Sequence, residues 1–362
     1  MGLQNVTETY QVEHAPTQPR HAPVFDLTPP VDLTSPTVFS DNGGYTFDAF
    51  ATMRERAPVM WHPEEYGAGF WAVTSYDLVK KIELDPETYS SQKGGILMNY
   101  GMEGTPRHPL LHSSSLNSLI NLDRPYHTPL RMEHMAYFRA DFVAELRKRV
   151  AAHVDVLLDH MLAQGQVVDM VELFSAELPL FTLCTAFMNE IQAMFDYGRS
   201  LLAERRKNPQ PDLLSAIANV EIDGKPLSPE FLDGSWLLIV FAGNDTTRNS
   251  LSGTMKLLTQ NPDQKAKLMA DDSLFPNFVH ESIRMVSPEK LVMYYAAANR
   301  DPAKFDNPDT YDITRANAKE HLAFGHGPHV CLGQRVANMQ LDAAYRQILS
   351  RFPDIAWTGE QE

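Results

Sequence analysis

The chain has 362 residues, 43% of them hydrophobic, a formal net charge of −15 and two cysteines. That length allows a sizeable core, and the acidic balance argues against nucleic acid or an anionic membrane as the main partner. Two cysteines exclude a disulfide framework and fit a reducing compartment, so a cytoplasmic monomer is the expectation. The longest apolar run, near Trp236 to Ala242, is too short to span a bilayer, and the N-terminus lacks the basic-then-apolar order of a signal peptide.

Residues 1–40 carry Pro16, Pro19, Pro23, Pro29, Pro30 and Pro36 among polar residues with no helical or strand period. They read as an arm, disordered or extended along the body, ahead of one domain spanning 41–362. Phe47, Phe50 and Met53 predict a short helix stopping before Pro58. Strands follow at Val59–Trp61 and Phe70–Val73, and a hairpin is the simple reading. Ser75 opens a helix with Leu78, Val79 and Ile82 on one side, ending near Asp85 and Pro86. Residues 92–122 form a long loop with four glycines and many apolar residues, a length often used for lids and binding segments.

His127 and Arg131 lie four apart, hence on one face of a helix that tolerates Pro129 in its first turn. Two hydrogen-bonding or cationic groups so placed can hold a carboxylate, and arginine offers a forked donor. From Phe142 to Met161 apolar residues recur three and four apart, predicting an amphipathic helix that ends near Gly165. Its Arg147, Lys148 and Arg149 read as a solvated face, with docking of an acidic partner as the sharper alternative. Leu178–Phe187 and Gln192–Arg206 look helical, as does Leu213–Ala218. Ser228 and Pro229 then open a long helix reaching Gln260.

That helix contains Phe241-Ala242-Gly243-Asn244-Asp245-Thr246-Thr247, a glycine, an acid and two hydroxyls in an apolar setting that disfavours all of them. Further on, Glu281 and Arg284 sit one turn apart and can pair. Phe324-Gly325-His326-Gly327-Pro328-His329-Val330-Cys331-Leu332-Gly333 then precedes a last helix, Arg335 to Phe352. Its glycines permit positive φ and close approach to a flat ligand, and Cys331 sits where a helix start favours an ionised sulfur. His326, His329 and Cys331 lack the spaced partner cysteines of a structural zinc site.

The decapeptide resembles the haem-binding loop of the cytochrome P-450 family, F-G-x-G-x-H-x-C-x-G, at every defining position. The resemblance runs over residues 41–360. It implies a mainly α protein with a small β region, the cytochrome P-450 fold, holding haem b (iron protoporphyrin IX). Cys331 would be the metal ligand, with Phe324, Gly325 and Gly333 completing the loop. His127, Arg131 and His329 would contact the propionates. Residues 241–247 resemble the family's oxygen-activating A-G-x-D-T-T, in which a local helix distortion opens a groove for dioxygen and a water; Ala242 and Gly243 would contact the haem, and Asp245 and Thr246 would deliver protons. Glu281 and Arg284 resemble the family's ion pair behind the haem, with Arg315 or His321 as third partner.

The implied reaction hydroxylates a hydrophobic small molecule of the terpenoid, alkane or steroid class, using dioxygen. No flavin or nicotinamide fingerprint is present, so electrons would come from a ferredoxin and a ferredoxin reductase. A haem-thiolate peroxygenase and a non-catalytic haem-binding protein are the alternatives. The chain is short for the family after Phe187, near Glu289 and at the C-terminus. The second of these normally supplies an arginine to a propionate.

Overall fold

In the computed structural model the described residues are 33, 44–62, 70–94, 113–114, 116–135, 138–179, 191–222, 224–286 and 293–358. The architecture is mainly helical with a small β region, as the sequence predicts. Helix α1 (Gly44–Arg56) leads into an antiparallel hairpin of β1 (Val59–His62) and β2 (Phe70–Val73), with Met60 opposite Ala72 and Trp61 opposite Trp71. Its buried face, Met60, Phe70 and Ala72, packs on Phe50 and Met53 of α1. Leu33 of the N-terminal arm joins that cluster at 1% exposure, and its N–H donates to His62 Nε2 at 2.9 Å.

Helix α2 (Tyr76–Glu83) follows, and Ser75 precedes it without a side-chain cap. The cap comes from far away: Tyr76 N–H donates to Asp301 Oδ2 at 2.9 Å. Helices α3 (His127–Met135) and α4 (Ala140–Gln164) come next, and α4 stops at Gly165, whose φ of 128° a residue with a Cβ rarely adopts. After α5 (Ile191–Lys207) and α6 (Leu213–Asn219), a two-stranded ribbon, β3 (Glu221–Ile222) and β4 (Lys225–Pro226), delivers the chain to α7 (Pro229–Gln260). Most of the predicted helix at 178–187, and the stretch 287–292, lie outside the described residues.

The main core forms where α4, the C-terminal half of α7, α9 (Phe275–Val286) and α10 (Gln334–Arg351) meet, with α8 (Pro262–Ala270) alongside. Val150, Val154 and Leu158 of α4 are fully buried against Leu341, Ile348 and Tyr345 of α10, spaced as the amphipathic pattern requires. Each such side chain contributes about 1.5–3 kcal/mol of apolar burial. Tyr345 adds a polar tie by donating its hydroxyl proton to the Leu251 carbonyl of α7.

Two local expectations fail. Ser228 precedes α7 with an extended backbone, but it makes no capping hydrogen bond and its Oγ is buried without a partner. Nor is α7 broken at 243–246: it runs as one α-helix of 32 residues. Thr246 Oγ1 donates to the Ala242 carbonyl at 2.9 Å, Ser250 Oγ to the Thr246 carbonyl at 2.8 Å and Thr254 Oγ1 to the Ser250 carbonyl at 2.6 Å. The hydroxyls are satisfied within the helix, so no break is needed to accommodate them. Near its start α7 carries Gly234, where a Cβ would lie 2.6 Å from the Asn117 carbonyl oxygen; hydrogen there lets the Ser114 and Asn117 main chain rest on the helix.

Candidate active site

The cysteine loop folds back on itself. Cys331 N–H donates to the Phe324 carbonyl at 2.7 Å, Gly325 N–H to the Leu322 carbonyl at 2.8 Å and Val330 N–H to the Gly327 carbonyl at 3.2 Å. Gly325 and Gly327 are left-handed, with φ of 69° and 66°. Both also lie against the end of α2: a Cβ on Gly327 would fall 2.3 Å from the Glu83 carbonyl oxygen, and one on Gly325 2.9 Å from Glu83 Oε1. Gly333 differs, since its φ is −81° and a Cβ would meet Cys331 Sγ and Phe138 only at 3.9 Å. Gly327→Ala is therefore expected to displace the loop and cost about 1–3 kcal/mol, read as a lower urea midpoint, whereas Gly333→Ala stays close to wild type in the same assay.

Beside the loop, α3 presents His127 and Arg131. Arg131 Nη2 donates to the Val330 carbonyl at 2.7 Å, tying the helix to the residue before the cysteine. Burial lowers the Arg131 pKa, and the Cys331 charge raises it. The His127 ring lies 4.1 Å from the His329 ring. Burial, then the His329 and Arg131 charges, pulls His127 down to about 4, so it is neutral at pH 7. Burial also lowers His329, with Asp123 opposing. At pH 7, then, these imidazoles offer hydrogen bonds and Arg131 carries the positive charge. His127 is 4% exposed and its Nε2 has no partner, an arrangement that costs about 1–3 kcal/mol unless a ligand supplies one.

Cys331 is reached by solvent, although its sulfur is set deep among protein atoms. Burial pushes the thiol above its ordinary range, against the Gly333 N–H, the Arg131 charge and the Gln334 N–H. The amides that should favour a thiolate at a helix start are in place, but burial outweighs them. A coordinated cation reverses that balance, because a ligating thiol loses its proton outright.

The opposing element is α7. Leu332 packs into the cluster of Leu122, Leu130 and Phe231, which Leu238 of α7 also joins, one turn before the A-G-x-D-T-T segment. Ala242 and Thr246 are exposed along one strip of the helix, Gly243 is half-buried, and Thr247 is buried. The Asp245 side chain lies outside the described residues. Phe324 packs on the main core, with its ring 5.5 Å from that of His321. A reachable sulfur, an adjacent guanidinium and an orphaned imidazole nitrogen make a donor set that fits an iron porphyrin with its carboxylates.

The comparisons with known proteins agree. A family signature described as Cytochrome P450 matches residues 289–354. Linalool 8-monooxygenase of Pseudomonas putida is 30% identical over 88% of this chain and 91% of its own length. The chain belongs to the cytochrome P450 family. A methyl-branched lipid omega-hydroxylase of Mycobacterium tuberculosis is 28% identical over 95% of this chain and 92% of its own. A Mycobacterium marinum cytochrome P450 solved in complex with pseudoionone superposes with a TM-score of 0.82, at 28% identity, over 93% of this chain and 95% of that one. The protein is thus a haem b-dependent monooxygenase with the P450 fold. Because 88% of a 362-residue chain cannot fill the 377 positions aligned with the linalool enzyme, segments of that P450 have no counterpart here.

Behind the site the Glu281–Arg284 pair forms as predicted, and the third partner is Arg315, whose Nε donates to Glu281 Oε1 at 3.1 Å. His321 instead faces His280, with Nε2 and Nδ1 3.4 Å apart. Lys148 pairs with exposed Glu145, as a solvated face would, whereas Arg147 pairs across to the mostly buried Asp342 of α10. Sequence reasoning missed Glu83 and Tyr295. The Tyr295 hydroxyl donates to Glu83 Oε1 at 2.5 Å across 212 residues, and nothing local to an acid at a helix end announces that bond.

Proposed function

We propose that this P450 hydroxylates a hydrophobic small molecule of the terpenoid, alkane or steroid class, using dioxygen and electrons from a ferredoxin and its reductase. Residues 41–362 form the monooxygenase domain, with Leu33 of the arm packed into its core. Cys331 holds the haem iron through its sulfur, in a loop shaped by Phe324, Gly325 and Gly333. Arg131 and the neutral imidazoles of His127 and His329 receive the propionates. Across the site, Ala242 and Gly243 would lie against the haem, and Asp245 and Thr246 hold and move protons. The haem, once bound, supplies oxygen activation, by which one atom enters a C–H bond and the other leaves as water.

The observation that carries this reading is the solvent-exposed Cys331, its sulfur backed by the Gly333 and Gln334 amides and beside the Arg131 charge. Thr246 Oγ1 already donates its proton to the Ala242 carbonyl, so its lone pairs are free to accept from a water in the site. A linalool and a branched-lipid hydroxylase among the relatives support the substrate class.

Turnover with a ferredoxin, its reductase and a pyridine nucleotide tests the proposal on acyclic terpene alcohols, branched fatty acids and steroids. Oxygenated product from one class is expected. Thr246→Val should lower product formation by about 10²-fold, the low end of a general-acid contribution, while the reduced carbon monoxide spectrum is unchanged. Product formed only from added hydrogen peroxide would favour a peroxygenase. Haem binding without product would favour a non-catalytic role.

A further inference from the structure

Glu83, the last residue of α2, lies directly under the cysteine loop. Its Oε1 accepts the Tyr295 hydroxyl at 2.5 Å, and its carboxyl also accepts the His326 main-chain N–H. Its Oε2 is buried without a partner. Both left-handed glycines rest on this residue, Gly325 on the carboxyl and Gly327 on the carbonyl. One acid thus touches three consecutive residues of the loop, and Cys331 is not among them.

We propose that Glu83 is a positioning residue for the thiolate loop and links the loop to a single proton, neutral when protonated and placing a buried negative charge beneath the haem's cysteine side when ionised. This rests on haem ligation by Cys331. Burial raises the Glu83 carboxyl to about 7, with the Tyr295 and His326 hydrogen bonds opposing. The other groups around it titrate elsewhere. The Tyr295 and Tyr76 phenols are raised by burial, and the His326 imidazole is lowered by burial and the Lys80 charge. Glu83 is thus the acid among these groups that is raised to about 7, and its ionisation disfavours adding an electron to the iron above.

The test is the haem reduction potential of the holoenzyme against pH. In wild type the potential should step to lower values as pH rises through about 7. Glu83→Gln, always neutral and able to accept the same hydrogen bonds, should lack the step. Tyr295→Phe, which removes a bond favouring the ionised acid, should move the midpoint to higher pH. A step of equal midpoint and size in Glu83→Gln would overturn the proposal, as would a flat wild-type profile in protein showing the red-shifted Soret band of a thiolate-ligated carbon monoxide complex. Absence of that band at every pH would overturn both the proposal and the ligand assignment.

Discussion

Cys331→Ala is expected to fold, bind little haem and show no red-shifted Soret band when reduced under carbon monoxide, with product formation falling to background. Cys331 is a solvent-exposed residue, so the truncation encloses no new cavity. The loop's shape comes from main-chain bonds to Phe324, Leu322 and Gly327 and from two left-handed glycines, none of which needs the sulfur. What would be lost is the sulfur donor that, on the proposed assignment, becomes a thiolate on binding iron and favours O–O cleavage. Were the His329 or His127 imidazole to take its place, the variant would show a carbon monoxide band at shorter wavelength. Retention of the wild-type band in the alanine variant would sink the assignment.

Glu281→Ala should give the largest loss of stability, about 3–5 kcal/mol, because it strands two guanidinium groups in the interior. Glu281 is fully buried, with Oε2 accepting from Arg284 Nε at 2.8 Å and Oε1 from Arg284 Nη2 at 2.8 Å, Asp312 N–H at 3.0 Å and Arg315 Nε at 3.1 Å. The arginines then reach outward. Arg284 Nη1 donates to the Asn299 and Pro308 carbonyls, and Arg315 Nη2 to those of Asn307 and Thr310. A stretch with little regular structure is thereby fastened to α9 just before the cysteine loop. Against a typical total of about 5–15 kcal/mol, such a loss is close to unfolding. Urea denaturation checks it, and a variant within about 0.5 kcal/mol of wild type would place the ion cluster outside the cooperative core.

The parts of this fold legible in the sequence are those whose physics is local. The period of α4, the proline start of α7, the β1–β2 hairpin and the spacing of Glu281 and Arg284 all sit within short windows. The cysteine loop is legible for the same reason, since glycines, histidine and cysteine lie in ten consecutive residues. What escaped depends on distant partners. Arg315 and His321 are equally plausible third partners until the chain places one beside Glu281 and the other beside His280. Ser75 has the local chemistry of a cap, yet Asp301 does that work from across the fold. At Cys331 the helix-start amides favour the thiolate as the sequence indicates, while the burial that opposes them cannot be read from sequence.

The first core cluster closes with a residue that a composition-based boundary would discard. Leu33 is hydrogen-bonded through its main chain to His62 and packed against Phe50 and Met53. It stoppers a socket between the opening helix and the hairpin, so recombinant versions begun at residue 41 would start life with an unplugged hole beside the β-ribbon.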